Sequence, residues 1–170
     1  MHAVWPIVVA LLTGPSDDRP AVAGLAHVRA TGHALVLLDE AAARSAIVRA
    51  LIDRLDATDV IVYVEITAAP EIARARTKLV TASASVRFLR IALQRDVSPF
   101  DATPLIAHEL QHAVEIAERR DVRDDDAVRL LYRRIGRQWG IDRFETDAAA
   151  EVERQARQEI RRNAALIPHP

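Results

Sequence analysis

One stretch of sequence decides the interpretation of this chain: Thr103-Pro104-Leu105-Ile106-Ala107-His108-Glu109-Leu110-Gln111-His112. It contains the pattern H-E-x-x-H. Thr103 followed by Pro104 is a typical N-cap and first position of a helix, and neither proline nor glycine follows before Arg120. The apolar residues around the motif supply a core-facing side. We therefore predict that the motif lies on a helix from residue 104 to about residue 119.

The residue types of the motif suit a metal site. Side chains four residues apart on a helix stand one above the other, so His108 and His112 can reach the same metal ion. Glu109 lies about 100° around the helix from His108, beside the metal rather than among its ligands, where it can take a proton from an activated water. The chain has no cysteine, so imidazole and carboxylate groups must supply the ligands, a set that suits Zn²⁺. The alternative is a surface helix with two incidental histidines.

A third ligand is expected C-terminal to the motif, because catalytic zinc sites usually have three protein ligands. We predict that Glu145 opens the last helix, which extends from residue 144 to about residue 163. A carboxylate on an apolar stripe is costly to bury unless a positive charge meets it, and a metal would supply that charge. The alternative is a half-exposed glutamate stabilised by the helix dipole. The stripe that Glu145 would share consists of Ala149, Val152, Ala156 and Ile160.

Two other carboxylates compete with Glu145 for this third position. Asp147 lies two residues further along the predicted helix, so it points about 200° away and faces water if the stripe faces the core. Glu115 shares a helix face with His112, but its side chain would have to bend back a full turn and would crowd the position that water needs. Glu115 is therefore either a rival ligand or a residue that orients His112, and Glu145 is the predicted ligand.

The motif followed by a distant glutamate at the start of a helix resembles the gluzincin metallopeptidases, which include thermolysin and the ImmA/IrrE-type peptidases. The resemblance covers about residues 103–156. It implies a zincin-like fold, with His108, His112 and Glu145 as zinc ligands and Glu109 as the catalytic base. The family pattern continues, four residues after its glutamate, with an Asp or Asn, whereas this chain has Ala149. The resemblance also implies that the strand predicted at residues 86–93 borders the cleft and pairs with an extended substrate; otherwise it is an ordinary strand of the sheet.

The function that the resemblance implies is zinc-dependent hydrolysis of peptide bonds in a peptide or protein substrate. The alternative is a zincin-like domain that uses zinc for structure or protein binding and has little turnover. Ala149 favours this alternative, because a side chain that would orient a histidine ligand is missing. Tyr132 and Arg134 are candidates for stabilising an oxyanion, although Tyr132 also fits the apolar stripe of its own helix. A helical interaction module without metal is the third interpretation.

The rest of the pattern predicts one α+β domain, in which a short sheet from the N-terminal half packs on the motif helix and the last helix. Strands are predicted at residues 35–38, 60–66, 78–82 and 86–93, and helices at 40–55, 124–135 and 144–163. The run at 60–66 is rich in β-branched residues without alternation, which indicates a central strand covered on both faces. The strand at 86–93 is more polar and is predicted nearer an edge. Because strands precede helices, we do not expect parallel β–α–β units.

The N-terminus has two interpretations. Residues 3–12 form an apolar run that has the length of an export-signal core and is too short to span a bilayer. Residues 1–20 are therefore an export signal or a first strand plus linker, and residues 21–170 form a single domain of a protein that is exported or cytoplasmic. Residues 13–34, which hold several glycines and prolines, are predicted to be irregular. The net charge of −1 gives no global field for nucleic acid or an anionic membrane, so neither is expected as a partner.

Overall fold

The computed structural model describes residues 27–68, 74–140 and 143–165. These ranges contain five helices: α1 (Gly32–Arg44), α2 (Ala46–Asp56), α3 (Pro99–Ala117), α4 (Asp125–Ile135) and α5 (Asp147–Ala165). One sheet contains β1 (Val28–Ala30), β2 (Val60–Thr67), β3 (Ala75–Ala82) and β4 (Arg87–Gln94), and a hairpin contains β5 (Arg137–Gly140) and β6 (Arg143–Glu145). The predicted mixture of helices with a short sheet is therefore confirmed.

Two expectations concern export and membranes. The N-terminal segment, interpreted as an export signal or as a first strand plus linker, lies outside the described residues. Within the described ranges, no helix combines the length and the apolar composition that crossing a membrane requires.

The four-stranded sheet is mixed. Its order is β1-β2-β4-β3; β2 pairs in parallel with β1 and with β4, whereas β3 pairs antiparallel with β4. Helices α1 and α2 connect β1 to β2, because parallel neighbours require a crossover. The expectation that strands precede helices without a parallel connection is therefore wrong for this part of the chain.

The source of that error is the segment before β2. Residues 35–38 form part of α1 and not a strand, since a four-residue apolar run is compatible with either structure. The predicted helix at 40–55 is divided at Ser45, whose side chain accepts a hydrogen bond from the backbone N–H of Val48 at 3.2 Å and caps α2. β1 and the start of α1 also lie inside the segment that was predicted to be irregular. The buried residues of α1 follow helical spacing: Ala34, Leu37, Leu38 and Ala41.

Helices cover one face of the sheet in the described part of the chain. β2 is an interior strand, as predicted, but it alternates between buried residues such as Val62 and residues such as Tyr63, which is 43% exposed. The prediction that both of its faces are covered is therefore wrong. β4 lies between β2 and β3, so its predicted position near an edge is wrong as well, and the edge strand is β3. The core residues of the sheet share the face towards the helices: Val28, Val60, Val62, Val64, Leu79, Leu89, Ile91 and Leu93.

The motif helix α3 begins at Pro99 and not at Pro104. Ser98 is its N-cap, because the Ser98 side chain accepts a hydrogen bond from the backbone N–H of Asp101. Pro104 consequently lies inside the helix, where it has no N–H to donate to the carbonyl oxygen of Phe100 four residues earlier. The pairs Ser98-Pro99 and Thr103-Pro104 have the same capping chemistry, and the chain uses the first of them.

The last helix also begins later than predicted, at Asp147 instead of residue 144. The Thr146 side chain accepts a hydrogen bond from the backbone N–H of Ala149 at 3.1 Å, which is the geometry of an N-cap. Glu145 is therefore the last residue of β6 and precedes α5 rather than opening it. By contrast, α4 begins after an Asp124 cap, as the sequence predicts.

A buried arginine on β4 fixes the C-terminal end of α3 to the sheet. The Arg87 side chain is fully buried and pairs with Asp59, with Nη2 at 2.5 Å from Oδ1 and Nε at 3.1 Å from Oδ2. The hydrogen bonds from this guanidinium hold the pKa of the Asp59 carboxyl below its ordinary value. The same guanidinium donates to carbonyl oxygens at and just beyond the end of α3: Ile116, Ala117, Arg119 and Val122. The motif helix is thereby held against the sheet.

Replacing Arg87 with methionine should destabilise the metal-free protein by about 3–5 kcal/mol, because several buried carbonyls lose their donor and the Asp59 carboxylate keeps, among the described residues, only the more distant Arg123, at 3.9 Å. The measurement is the midpoint of urea unfolding at an unchanged slope. Arg90→Met, on the same strand, is the matched control. Arg90 is about half exposed, and its contact with Glu65 at 3.5 Å should contribute less than about 1 kcal/mol. Equal losses for the two variants would contradict the role given to Arg87.

Candidate metal centre

α3 and the hairpin before α5 bring three potential metal ligands together. Nε2 of His108 is 3.1 Å from Nε2 of His112 and 3.7 Å from Oε2 of Glu145. One ligand atom from each residue lies within 4.8 Å of the other two. Ligand atoms of a tetrahedral zinc ion with bonds of about 2.0–2.1 Å lie roughly 3.4 Å apart, so the two distances at His108 fit, whereas a separation of 4.8 Å would have to shorten when an ion binds. The structure therefore brings the three predicted ligands together as a group that could hold a metal ion.

The two rival carboxylates lie elsewhere. The Asp147 side chain is 86% exposed and contacts Arg137 on the neighbouring hairpin. Glu115 is buried beside His112, but its carboxylate meets Nδ1 of that ring and not Nε2. Of the three carboxylates considered for the third position, only Glu145 reaches the side on which the two Nε2 atoms meet.

Glu115 orients His112. Its Oε2 is 2.9 Å from Nδ1 of His112, and its Oε1 accepts a hydrogen bond from Oγ1 of Thr146 at 2.7 Å. Burial raises the pKa of Glu115, but hydrogen bonds from His112, Thr146 and Gln111 outweigh it, so that the pKa is lowered on balance. An anionic carboxylate at this position favours a proton on Nδ1, which leaves the Nε2 lone pair of His112 for a metal.

A second glutamate lies beside His108. Oε2 of Glu153, on α5, lies 3.2 Å from Nδ1 of His108, which is an ion-pair distance, although the angle is not that of a hydrogen bond. Glu153 stands one helical turn after the fully buried Ala149. It also accepts a hydrogen bond from Arg157 at 2.9 Å. The resemblance expects an Asp or Asn at position 149, and here an acid stands near His108 at position 153 instead.

The electrostatics of the cluster favour positive charge. Burial lowers the pKa of His108, but the carboxylates of Glu153, Glu109 and Glu145 outweigh it, and the pKa is raised on balance. Because a carboxylate faces Nδ1 of each ring, protons on the Nδ1 atoms would leave two Nε2 lone pairs directed at each other. A cation between them would remove that repulsion. Two imidazoles and a carboxylate are a donor set that zinc accepts.

A hydrogen bond from β3, the edge strand of the sheet, holds the Glu109 side chain. It is buried, with 6% of its surface exposed, and its Oε2 accepts a hydrogen bond from Oγ1 of Thr77 at 2.6 Å. The same hydroxyl lies 3.1 Å from the backbone carbonyl oxygen of Glu109. Glu109 does not belong to the cluster of ligand atoms. Its carboxylate is therefore held in one position on α3, next to His108 in the chain and separate from the ligands.

The two residues predicted to stabilise an oxyanion, Tyr132 and Arg134, do not face the three potential metal ligands. The Tyr132 ring packs edge-on against His112, with centroids 5.4 Å apart, and stacks on Phe144. Its hydroxyl donates to the backbone carbonyl of His112 at 3.2 Å, and burial raises its pKa well above the ordinary value. Arg134 is exposed on α4. Tyr132 is therefore a packing residue of the site.

Two residues of the site, Glu153 and Thr77, were not predicted from the sequence. Glu153 follows Ala149 by four residues and Glu145 by eight, so helical spacing along the stripe could have indicated it. Thr77 lies on a strand 32 residues before Glu109, and nothing local in the sequence marks it.

Comparisons with known proteins do not extend this picture: the chain matches no family model, and no curated protein or solved structure matches it. The function is therefore argued from the geometry of the site.

Proposed function

We propose that the protein is a small zinc-dependent metallopeptidase with a zincin-like domain. The observation that supports it is the convergence of His108, His112 and Glu145 within 4.8 Å, while a further carboxylate faces Nδ1 of each histidine. Structural zinc sites usually have four protein ligands, whereas catalytic sites have three and keep a position open. The described residues supply three, which favours a catalytic site.

His108, His112 and Glu145 would hold the metal. When bound, zinc acts as a Lewis acid towards a carbonyl group and makes water nucleophilic near neutral pH. Glu109 would act as the general base: it takes the proton of the attacking water and passes it to the leaving amine. The hydrogen bond from Thr77 would keep the Glu109 carboxylate in the orientation that this transfer needs.

A substrate would pair with β3 and not with the strand at residues 86–93, because that strand is β4, which has neighbours on both sides. The backbone N–H of Gln94 donates to the carbonyl of Arg74 at 2.8 Å. Opposite residues of an antiparallel pair alternate between hydrogen-bonded and non-bonded pairs, so Arg76 and Lys78 also direct their backbone groups towards β4. Thr77 and Leu79 direct theirs away from β4, to an edge that is free in the described part of the chain.

This edge lies next to the proposed base. The Thr77 side chain contacts Glu109, while the Thr77 backbone groups are available to a peptide in extended conformation. A peptide bound by strand addition would therefore run past the motif helix. The arrangement supports a peptide as the substrate, since an extended peptide can pair with these backbone groups as an added strand.

One observation favours the alternative of a zinc-binding domain with little turnover: the Tyr132 hydroxyl is already bonded to the backbone of His112 and offers no donor to an oxyanion.

Protein purified without a histidine tag should contain roughly one zinc ion per chain. It should hydrolyse casein or a peptide library, lose this activity on chelation and regain it with zinc. Zinc without hydrolysis would support the alternative, and a chain that binds no metal would contradict both.

A further inference from the structure

Two exposed cations lie on β3, the edge strand of the sheet within the described ranges. The side chains of Arg76 and Lys78 are on the open face of β3, opposite to the side chain of Thr77, which faces α3. Neither forms an ion pair with another residue in the ranges that the structure describes. Arg76 and Lys78 come directly before and after Thr77, the residue that contacts the proposed base, Glu109.

The neighbouring strands add positive charge to this edge. Lys78 is directly opposite Arg90 on β4, and Arg76 is opposite Ala92. Glu65 on β2, which is opposite Ala92, contacts Arg90 at 3.5 Å. Arg76 and Lys78 consequently remain available for an external carboxylate. The chain as a whole has a net charge of −1, so a positive edge is a local feature and not a general property of the surface.

We propose that this edge selects peptides with acidic side chains at alternate positions, an inference that rests on the proposed peptidase function. A strand added to β3 would direct every second side chain to the open face, beside Arg76 and Lys78. Cβ atoms of directly opposite residues lie about 4.5–5.5 Å apart, which is within reach of an ion pair. The remaining side chains of the peptide would face α3 and the metal-binding residues.

An acidic peptide fits this edge better than a single-stranded nucleic acid does. The backbone groups of Thr77 and Leu79 point outward and match the N–H and C=O groups of an extended peptide. A nucleic acid could use the charges of Arg76 and Lys78 and accept from a backbone N–H, but it lacks the alternating N–H and C=O groups that pair with this edge as a strand. The two classes can therefore be separated experimentally.

The experiment uses the zinc-loaded Glu109→Gln protein, so that bound peptides are not cleaved. Short fluorescent peptides with glutamate, glutamine or lysine at alternate positions are titrated and followed by anisotropy. The glutamate peptide should bind about tenfold more tightly than the lysine peptide at low salt, and the difference should shrink as salt increases. The double variant Arg76→Glu/Lys78→Glu should reverse the preference. Arg161→Glu/Arg162→Glu, with the same change of charge on exposed positions of α5, should preserve it.

The possible results separate this inference from the peptidase function. Equal affinity for the three peptides, or an acidic preference that survives Arg76→Glu/Lys78→Glu, would overturn the inference, even if the wild-type protein cleaves the glutamine peptide. Charge-dependent binding by Glu109→Gln, with no cleavage of any peptide by the wild type, would support the acidic edge and contradict the peptidase. Displacement of the glutamate peptide by a short single-stranded DNA at equal concentration would show a surface for polyanions in general and overturn the peptide assignment.

Discussion

Replacing Glu109 with glutamine should leave zinc bound and reduce peptide hydrolysis by about 10²–10⁴-fold, the range that positioned general bases contribute. Zinc should remain because Glu109 does not belong to the cluster of ligand atoms. Glutamine has the same size and can still accept the hydrogen bond from Thr77, but it cannot accept a proton from water. The measurements are zinc content by elemental analysis and kcat/KM for a peptide that the wild-type protein cleaves.

Glu118→Gln is the matched control, since Glu118 is exposed at the C-terminal end of the same helix and contacts Arg54 instead of the site. It should retain both zinc and activity. A Glu109→Gln protein that purifies without metal would show that Glu109 is a ligand. A Glu109→Gln protein that cleaves at the wild-type rate would show that the base is another group.

The pair of histidines could be predicted because its geometry is local. Positions four residues apart on a helix are neighbours whatever the rest of the fold does, so the motif alone predicts that His108 and His112 meet. Glu115 belongs to the same helix and lies three residues after His112. Its contact with Nδ1 could therefore be anticipated as one of two alternatives, and in the structure its carboxylate lies at Nδ1 of His112.

Contacts between distant segments could not be predicted in the same way. The polar appearance of residues 86–93 suggested an edge strand, but part of it comes from Arg87, which is fully buried against Asp59. Because the neighbours of β4 are β2 and β3, the edge of the sheet that the structure describes is β3, and the contact with Glu109 through Thr77 belongs to that strand. Strand order depends on long-range packing, which one-dimensional periodicity does not contain.

The predicted starts of α3 and α5 are wrong, because more than one position in each region resembles the start of a helix. Ser98-Pro99 and Thr103-Pro104 both resemble the start of a helix, and Phe144 and Glu145 could continue the apolar stripe of α5. Thr146 is the N-cap of α5, so the helix begins after it and Glu145 remains in β6. Glu145 nevertheless lies near His108, because the hairpin ends where α5 begins to pack on α3.

Replacing Glu145 with alanine should therefore remove most of the bound zinc, although the residue is not helical. The loss of affinity should exceed the roughly 10–100-fold that removal of an outer-shell partner costs, because a ligand atom itself is lost. The unfolding temperature of the variant should also rise less on addition of zinc than that of the wild type. Competition with a chromophoric chelator measures the affinity directly.

Asp147→Ala is the matched control for Glu145→Ala. Asp147 is two residues away and 86% exposed, and its contact is with Arg137, so its removal should leave zinc affinity unchanged. Glu115→Gln tests the remaining carboxylate: it keeps the size of the side chain beside Nδ1 of His112 and should weaken zinc binding within the roughly 10–100-fold range of an orienting partner. If Glu115→Gln loses more zinc than Glu145→Ala, then Glu115 is the ligand and the carboxylate of Glu145 lies near His108 for another reason.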